Sequence, residues 1–333
     1  MKRVVALLAA ALATVALTAC GGGAEPGAPE RATLVLDFQP NAVHAGIYAA
    51  LHEGYYRDAG IDLDVHQPSA STDAPKLLEA GKAQFAILDI HDLAIARERG
   101  FDLVALMPIV QRPLAAVIAG DPDGVHRPRD LEGRTVGVTG LPSDDAVLDS
   151  VVSADGGDPA RVDRVTIGFS AVASLAAGRV DAATAFWNAE GVALKGQGVA
   201  TRTFRVDDYG APRYPELVLV TGAQTFAGES GLVRPMVRAT TRGYTIASDQ
   251  PARALDDLLA ADSSLDRGSQ TAEMNALQRA HAFDPPGRFD LAALHEWSRW
   301  EVDHGIVDKR PSVERMLGDG AGPPRRVQPD ASG

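Results

Sequence analysis

From residue 32 onward the chain alternates short apolar runs with amphipathic stretches, in two successive series. A hydrophobic period that keeps switching between that of a strand and that of a helix predicts α/β architecture. In the first series residues 33–36, 61–65, 84–88, 103–109 and 114–119 read as strands. Helices over 44–59, 73–80 and 89–99 fall between them, stopped by Gly60, Gly81 and Gly100, with Asp89 placed to cap the third. A second series begins near Asp130, with strands over 134–138, 165–167 and 181–185 and helices over 143–154, 171–177 and onward from Asn188. After an apolar strand at 216–221 the chain becomes mostly helical, over 232–248, 252–260, 271–283 and 291–304.

Joined through 114–119 and again through 216–221, the two series predict two α/β lobes linked by two crossing strands. Residues 32–114 with 220–317 are expected in one lobe and 115–219 in the other. A length of 333 residues suits two such units, and residues 318–333 read as a disordered tail. The apolar fraction, 45%, is that of an ordinary globular chain and argues against a multi-span membrane protein. With 44 acidic against 32 basic side chains the net charge is −12, which repels phosphate backbones and removes nucleic acid from the expected partners.

The single cysteine, Cys20, excludes an intrachain disulfide and any thiolate metal cluster. It closes an N-terminal stretch, MKRVVALLAAALATVALTAC, with a cationic start and an apolar run too short for a comfortable membrane span. Leu17-Thr18-Ala19-Cys20 resembles a bacterial lipobox. That resemblance implies a signal over residues 1–19, lipidation of Cys20, and an extracytoplasmic body held to the cell membrane by its acyl chains. Residues 20–31 read as a flexible Gly/Pro leash.

Ligands of open α/β sheets sit beyond the carboxyl ends of the strands, so the residues that follow each strand are the candidates. The first strand is followed by Asp37-Phe38-Gln39-Pro40-Asn41-Ala42-Val43-His44. Asn41 can serve as a helix cap or face a ligand, and His44 falls on the first turn. Phe38, a large ring in a polar loop, needs something to cover it. After the third strand come Asp89-Ile90-His91-Asp92, where Asp89 fits both a helix cap and the lining of a cleft. Helix-terminus electrostatics account for these acids, and no metal is expected.

The densest group is Phe186-Trp187-Asn188-Ala189-Glu190. Neighbouring residues of a strand point to opposite faces, and Trp187 is expected to face the cleft. Tyr214-Pro215-Glu216 would put a phenol and a carboxylate at the hinge. Bases are scarce at strand ends, and aromatics, amides and acids suit a flat heteroaromatic bearing amino groups better than an inorganic anion.

Several stretches resemble the opening of the SsuA/THI5-like (NMT1) family: Leu36-Asp37-Phe38-Gln39-Pro40-Asn41, His44-Ala45-Gly46-Ile47-Tyr48, Glu53-Gly54-Tyr55-Tyr56 and Gly60-Ile61-Asp62-Leu63. Gly81-Lys82-Ala83-Gln84-Phe85-Ala86, Ala154-Asp155-Gly156-Gly157-Asp158-Pro159 and Tyr214-Pro215-Glu216-Leu217-Val218 are similar to it as well. Within the family the chain most resembles the binding lipoproteins of ABC importers for an aminopyrimidine precursor of thiamine.

The resemblance implies a type II periplasmic-binding-protein fold, a ligand clamped between the lobes, delivery to a permease, and no cofactor. A monomer is expected. It carries ligand roles to Phe38, Asn41, Asn188, Glu190, Tyr214 and Glu216, with Trp more usual in the family where Phe38 stands. Riboflavin binders of the same family share most of these motifs, and a family binder of a sulfonate- or nitrate-type anion is the other alternative. The family's pyrimidine synthases need a cofactor-holding lysine and a cysteine run. This chain has no lysine in Ile87-Leu88-Asp89-Ile90-His91 and no cysteine run, so an enzyme is not expected.

Overall fold

A computed structural model describes residues 29–68, 73–120, 124–228 and 231–317. The leader with Cys20, most of the leash and the tail at 318–333 lie outside the described residues. Two five-stranded sheets organise the rest. The first holds β1 (Glu30–Val35), β2 (Ile61–His66), β3 (Phe85–Asp89), β4 (Leu103–Val110) and β10 (Leu217–Gly222), in the order β2-β1-β3-β10-β4. The second holds β5 (Ala115–Ala119), β6 (Thr135–Val138), β7 (Asp163–Thr166), β8 (Ala182–Phe186) and β9 (Arg202–Arg205), in the order β7-β6-β8-β5-β9.

The two orders match. In each sheet three strands follow one another in parallel, β2-β1-β3 and β7-β6-β8, and the fourth, β10 or β5, runs antiparallel to both its neighbours. Sequence pattern explains the positions. β4 (LVALMPIV) and β10 (LVLVTG) are buried along their whole length, as strands covered on both faces must be. β2 alternates exposed residues with half-buried ones after a buried Ile61, and β7 is exposed throughout, as suits the sheet edges they occupy.

The chain passes between the sheets twice, through 111–114 from β4 to β5 and through 206–216 from β9 to β10. These passages, rather than the strands themselves, are the crossings. β10 belongs wholly to the first sheet because Leu217 pairs with both Asp89 and Val110, so a lobe boundary at 219/220 falls inside a strand.

Three other expectations are corrected. The leash ends before residue 30, because Glu30 and Arg31 already pair with Ile61 and Asp62 at the sheet edge. The helix read over 44–59 is a 3₁₀ turn, Ala42–His44, and two helices, Ala45–His52 and Tyr55–Asp58, divided where Gly54 takes a left-handed φ of 72°. β9 was not expected at all, because of its four residues, Arg-Thr-Phe-Arg, only Phe204 is fully buried.

The C-terminal helices back the first sheet and brace the loop after β1. Helix Val233–Asp249 crosses Ala45–His52 so closely that a Cβ on Gly243 would lie 1.9 Å from the Gly46 carbonyl oxygen. At that crossing the Tyr244 hydroxyl donates to the Val43 carbonyl over 2.9 Å, pinning the turn that follows β1. No helix among the described residues is long and apolar enough to cross a membrane.

Candidate functional site

A cleft opens between the lobes where the carboxyl ends of β1, β3, β6, β7 and β8 converge. Its interior measures about 120 Å³, room for a few waters or a small ring system. Two aromatic rings meet there from opposite lobes. Phe38 follows β1 and Phe169 follows β7; their centroids are 4.7 Å apart and their planes at 88°.

On the first lobe Asn41 caps the 3₁₀ turn, its Oδ1 accepting from Val43 N at 2.9 Å. Asn41 also lines the cleft. His44 is fully buried behind it and does not line the cleft. Its Nδ1 accepts from the Asn41 amide at 3.2 Å, so the proton sits on Nε2 and is donated to Asp37 Oδ1 at 2.8 Å. His44 thus aims Asp37, which lines the cleft. Asp89 caps helix Ile90–Glu98, accepting from His91 N at 2.7 Å, and its carboxyl also faces the cleft. Burial and the adjacent Glu216 hold that carboxyl well above the usual range. One turn on, Asp92 accepts from Ser143 Oγ of the other lobe at 2.8 Å, and burial pushes it up to about 7.

On the second lobe the loop after β6 brings Asp144, which accepts from the amide and hydroxyl of Thr139. Burial raises its pKa, against the pull of those bonds. Glu190 accepts from Phe186 N at 3.0 Å and is likewise raised by burial. Between them lies Asn188, fully buried, with both carboxamide atoms lacking a partner while the residue lines the cleft. A buried amide with both ends unmade is costly, and a ligand edge offering one donor and one acceptor satisfies it. Just outside, Glu273 on helix Arg267–Arg279 is buried near Glu190 and accepts from Gln270 Nε2 at 3.0 Å; burial and Glu190 push it up to about 8.

The expected site residues divide. Phe38, Asn41, Asp89, Asn188 and Glu190 line the cleft together. Trp187 does not. Phe186 pairs with Ala115 and turns its ring to the cleft, so its neighbour falls on the far side. There the Trp187 indole donates to the Pro113 carbonyl at 3.0 Å, and the Arg205 guanidinium lies 4.0 Å from its centroid. Lys195, Arg205 and Arg279 surround that second hollow.

Tyr214 and Glu216 are fully buried behind the cleft floor. Tyr214 packs edge-on against His91 at 4.7 Å. Glu216 Oε2 accepts from the backbone amides of Leu114 and Ala115, and burial pushes the carboxyl up to about 7. It therefore ties one inter-lobe passage to the other. The search after each strand passed over Thr139, Ser143 and Asp144 after β6 and Phe169 after β7. The same rule, applied to those two loops, would have found them.

The family profile described as "NMT1/THI5 like" matches residues 41–254. The chain belongs to the NMT1/THI5-like family. Among curated relatives it is similar to the formylaminopyrimidine-binding protein of Halalkalibacterium halodurans, 34% identical over 74% of this chain and 76% of that one. It is also similar to the 4-amino-5-hydroxymethyl-2-methylpyrimidine phosphate synthase of Legionella pneumophila, 24% identical over 71% of this chain and 75% of that one. Among solved structures, the alkanesulfonate-binding protein SsuA of Xanthomonas axonopodis pv. citri, bound to MOPS, superimposes with a TM-score of 0.68 at 15% identity. That alignment covers 90% of this chain and 99% of that one, and it fixes this member of the NMT1/THI5-like family as a two-lobed protein of the type II periplasmic-binding-protein fold.

Proposed function

We propose that the protein is the extracytoplasmic binding component of an ABC importer and captures a thiamine-related aminopyrimidine between its lobes for delivery to a permease. One observation carries the reading. The cleft is lined by Asp37, Asp89, Asp92, Asp144 and Glu190, and by no lysine or arginine among the described residues. A sulfonate or nitrate wants Arg forks or cations there. A ring bearing amino groups wants what the cleft supplies: carboxylates to accept N–H bonds, an unpartnered carboxamide for the ring edge, and aromatic faces in Phe38, Phe169 and Phe186.

The same lining supports a binder over an enzyme, since among the described residues no lysine lines the cleft to hold a carbonyl cofactor. Relatives of known name support both the ligand class and this choice, the formylaminopyrimidine-binding protein matching at higher identity than the synthase. Capture proceeds by closure. The lobes rotate about 111–114 and 206–216, and Phe38 and Phe169 bring their rings onto the ligand. No bond in the ligand changes, and it leaves intact. For about a dozen heavy atoms, ligand efficiency permits roughly −8 to −11 kcal/mol, micromolar to tens of nanomolar. The lipid anchor at Cys20 belongs to this reading and keeps the loaded protein beside its permease.

Calorimetry of the mature domain against formylaminopyrimidine, riboflavin, an alkanesulfonate and nitrate tests it. Binding of the aminopyrimidine alone is the expected result. Heat with the sulfonate or nitrate and none with the pyrimidine overturns it.

A further inference from the structure

We propose that Asp89, His91 and Glu216, with the Tyr214 hydroxyl beside them, form a site for a divalent transition cation of the zinc class, set in the floor between the cleft and the hinge. The ligating atoms of the first three lie within 4.8 Å of one another. Acidic clusters are common and by themselves mean little. Here the polar atoms left over are what point to an occupant. His91 Nε2 and the Tyr214 hydroxyl are buried without a hydrogen-bond partner, on residues that are 0% exposed, and beyond its two backbone amides the Glu216 carboxyl meets only the Asp89 carboxyl. Each such atom costs on the order of 1–3 kcal/mol if nothing meets it, and these belong to residues gathered at one point of the fold.

The imidazole is also oriented as a metal-bound histidine is. Its Nδ1 faces the buried carboxylate of Glu301 from helix Leu291–Asp303. Glu301 accepts from Nδ1 in competition with the Trp297 indole, whose nitrogen lies 3.2 Å from the same atom. Nε2, buried without a partner, is the nitrogen left to meet a cation in place of its proton. A carboxylate that fixes the tautomer from behind while the other nitrogen is left for a cation is the usual outer-shell arrangement of a histidine ligand.

Of the acids, Glu216 spends Oε2 on two backbone amides and keeps Oε1, and Asp89 spends Oδ1 on the His91 amide. One imidazole with two carboxylates suits zinc, with manganese less favoured and magnesium least. Asp89 is the half-buried member and lines the cleft, so a cation enters from there. A second cluster, His52, Glu53 and Asp257, shows what an ordinary acidic group looks like. There His52 is exposed and lies 2.9 Å from Asp257, and Arg253 pairs with Glu53; Asp257 Oδ2 is unpartnered, but no buried imidazole faces it.

The proposal stands apart from the choice of cleft ligand and is tested without one. Tag-free protein is stripped with a chelator, dialysed at pH 8 against zinc, manganese or magnesium alone, and its metal counted by mass spectrometry alongside a thermal-shift scan. One zinc per chain and a raised Tm are expected, with manganese held weakly. Asp89→Asn, which keeps the helix cap, is expected to weaken zinc binding at least tenfold and to leave the metal-free Tm unchanged. The paired variant His91→Asn with Glu301→Gln removes the imidazole without stranding the acid behind it, and is expected to abolish zinc binding. His52→Gln is expected to hold zinc as the wild type does. Absence of stoichiometric zinc in the wild type overturns the proposal, and so does full retention by both site variants or loss in His52→Gln alone.

Discussion

Phe38 and Phe169 touch edge to face across the cleft, 4.7 Å between centroids, one from each lobe. The contact is, with the Asp92–Ser143 bond, one of the points at which the lobes meet, and there a flat ring would displace one aromatic edge for its own face. An aromatic pair contributes about 0.5–1.5 kcal/mol beyond the area it buries. Phe38→Ala and Phe169→Ala are each expected to raise Kd for formylaminopyrimidine roughly tenfold in calorimetry. Wild-type affinity in both variants would remove the rings from the site.

The amide and acid after β8 are expected to matter more. Asn188→Ala and Glu190→Gln each take away a buried, ligand-directed hydrogen bond, about 1.5–3 kcal/mol where a charge assists, or roughly ten- to a hundredfold in Kd. Trp187→Ala separates position from function. It removes the indole bond to Pro113 and the stack with Arg205, so stability is expected to fall by about 1–3 kcal/mol in urea titration while ligand affinity is kept. A selective loss of affinity in that variant would return Trp187 to the cleft.

Glu273 sets a pH dependence of stability. Its folded pKa is raised by burial from 4.5 to about 8. Below 4.5 both states hold the proton; between the two values the folded state keeps it while the unfolded state releases it, so stability drops as pH rises through that window. In Glu273→Gln that contribution is absent. The Tm of the variant is expected to gain on the wild type steadily from pH 5 to pH 8, and a constant difference across the range would show that the acid is not held neutral.

The proposed function puts the membrane anchor at Cys20. Cys20→Ser is expected to move the protein from the membrane pellet to the soluble fraction of expressing cells and to abolish incorporation of labelled fatty acid. Labelling that persists in the variant would place the anchor elsewhere.

The fold was largely legible because its signals are local. β4 and β10 announce burial by unbroken apolar runs, Asp89 announces a helix start, and Gly60, Gly81 and Gly100 announce stops. β9 was not, because only its Phe204 is fully buried and the other residues look like loop. In the candidate site, the strand-end position of Asn188 and Glu190 is what puts them in the cleft lining. Which of Phe186 and Trp187 faces the ligand could not be found that way. It depends on the register of β8 against β5, seventy residues earlier, and on an Arg205 whose strand was itself unseen. Tyr214 and Glu216 lie on the passage between the lobes, where their neighbours Leu114, Ala115 and His91, distant in sequence, hold them behind the cleft rather than in its lining.

The place of β10 between β3 and β4 has an outcome for biogenesis. Every strand of the second sheet has been made once the ribosome reaches Arg205, whereas the first sheet, begun at Glu30, has a gap between β3 and β4 until 217–222 emerge. The half of the protein that starts first is therefore the half that finishes last, and until then two apolar strand edges on either side of that gap stand without their partner.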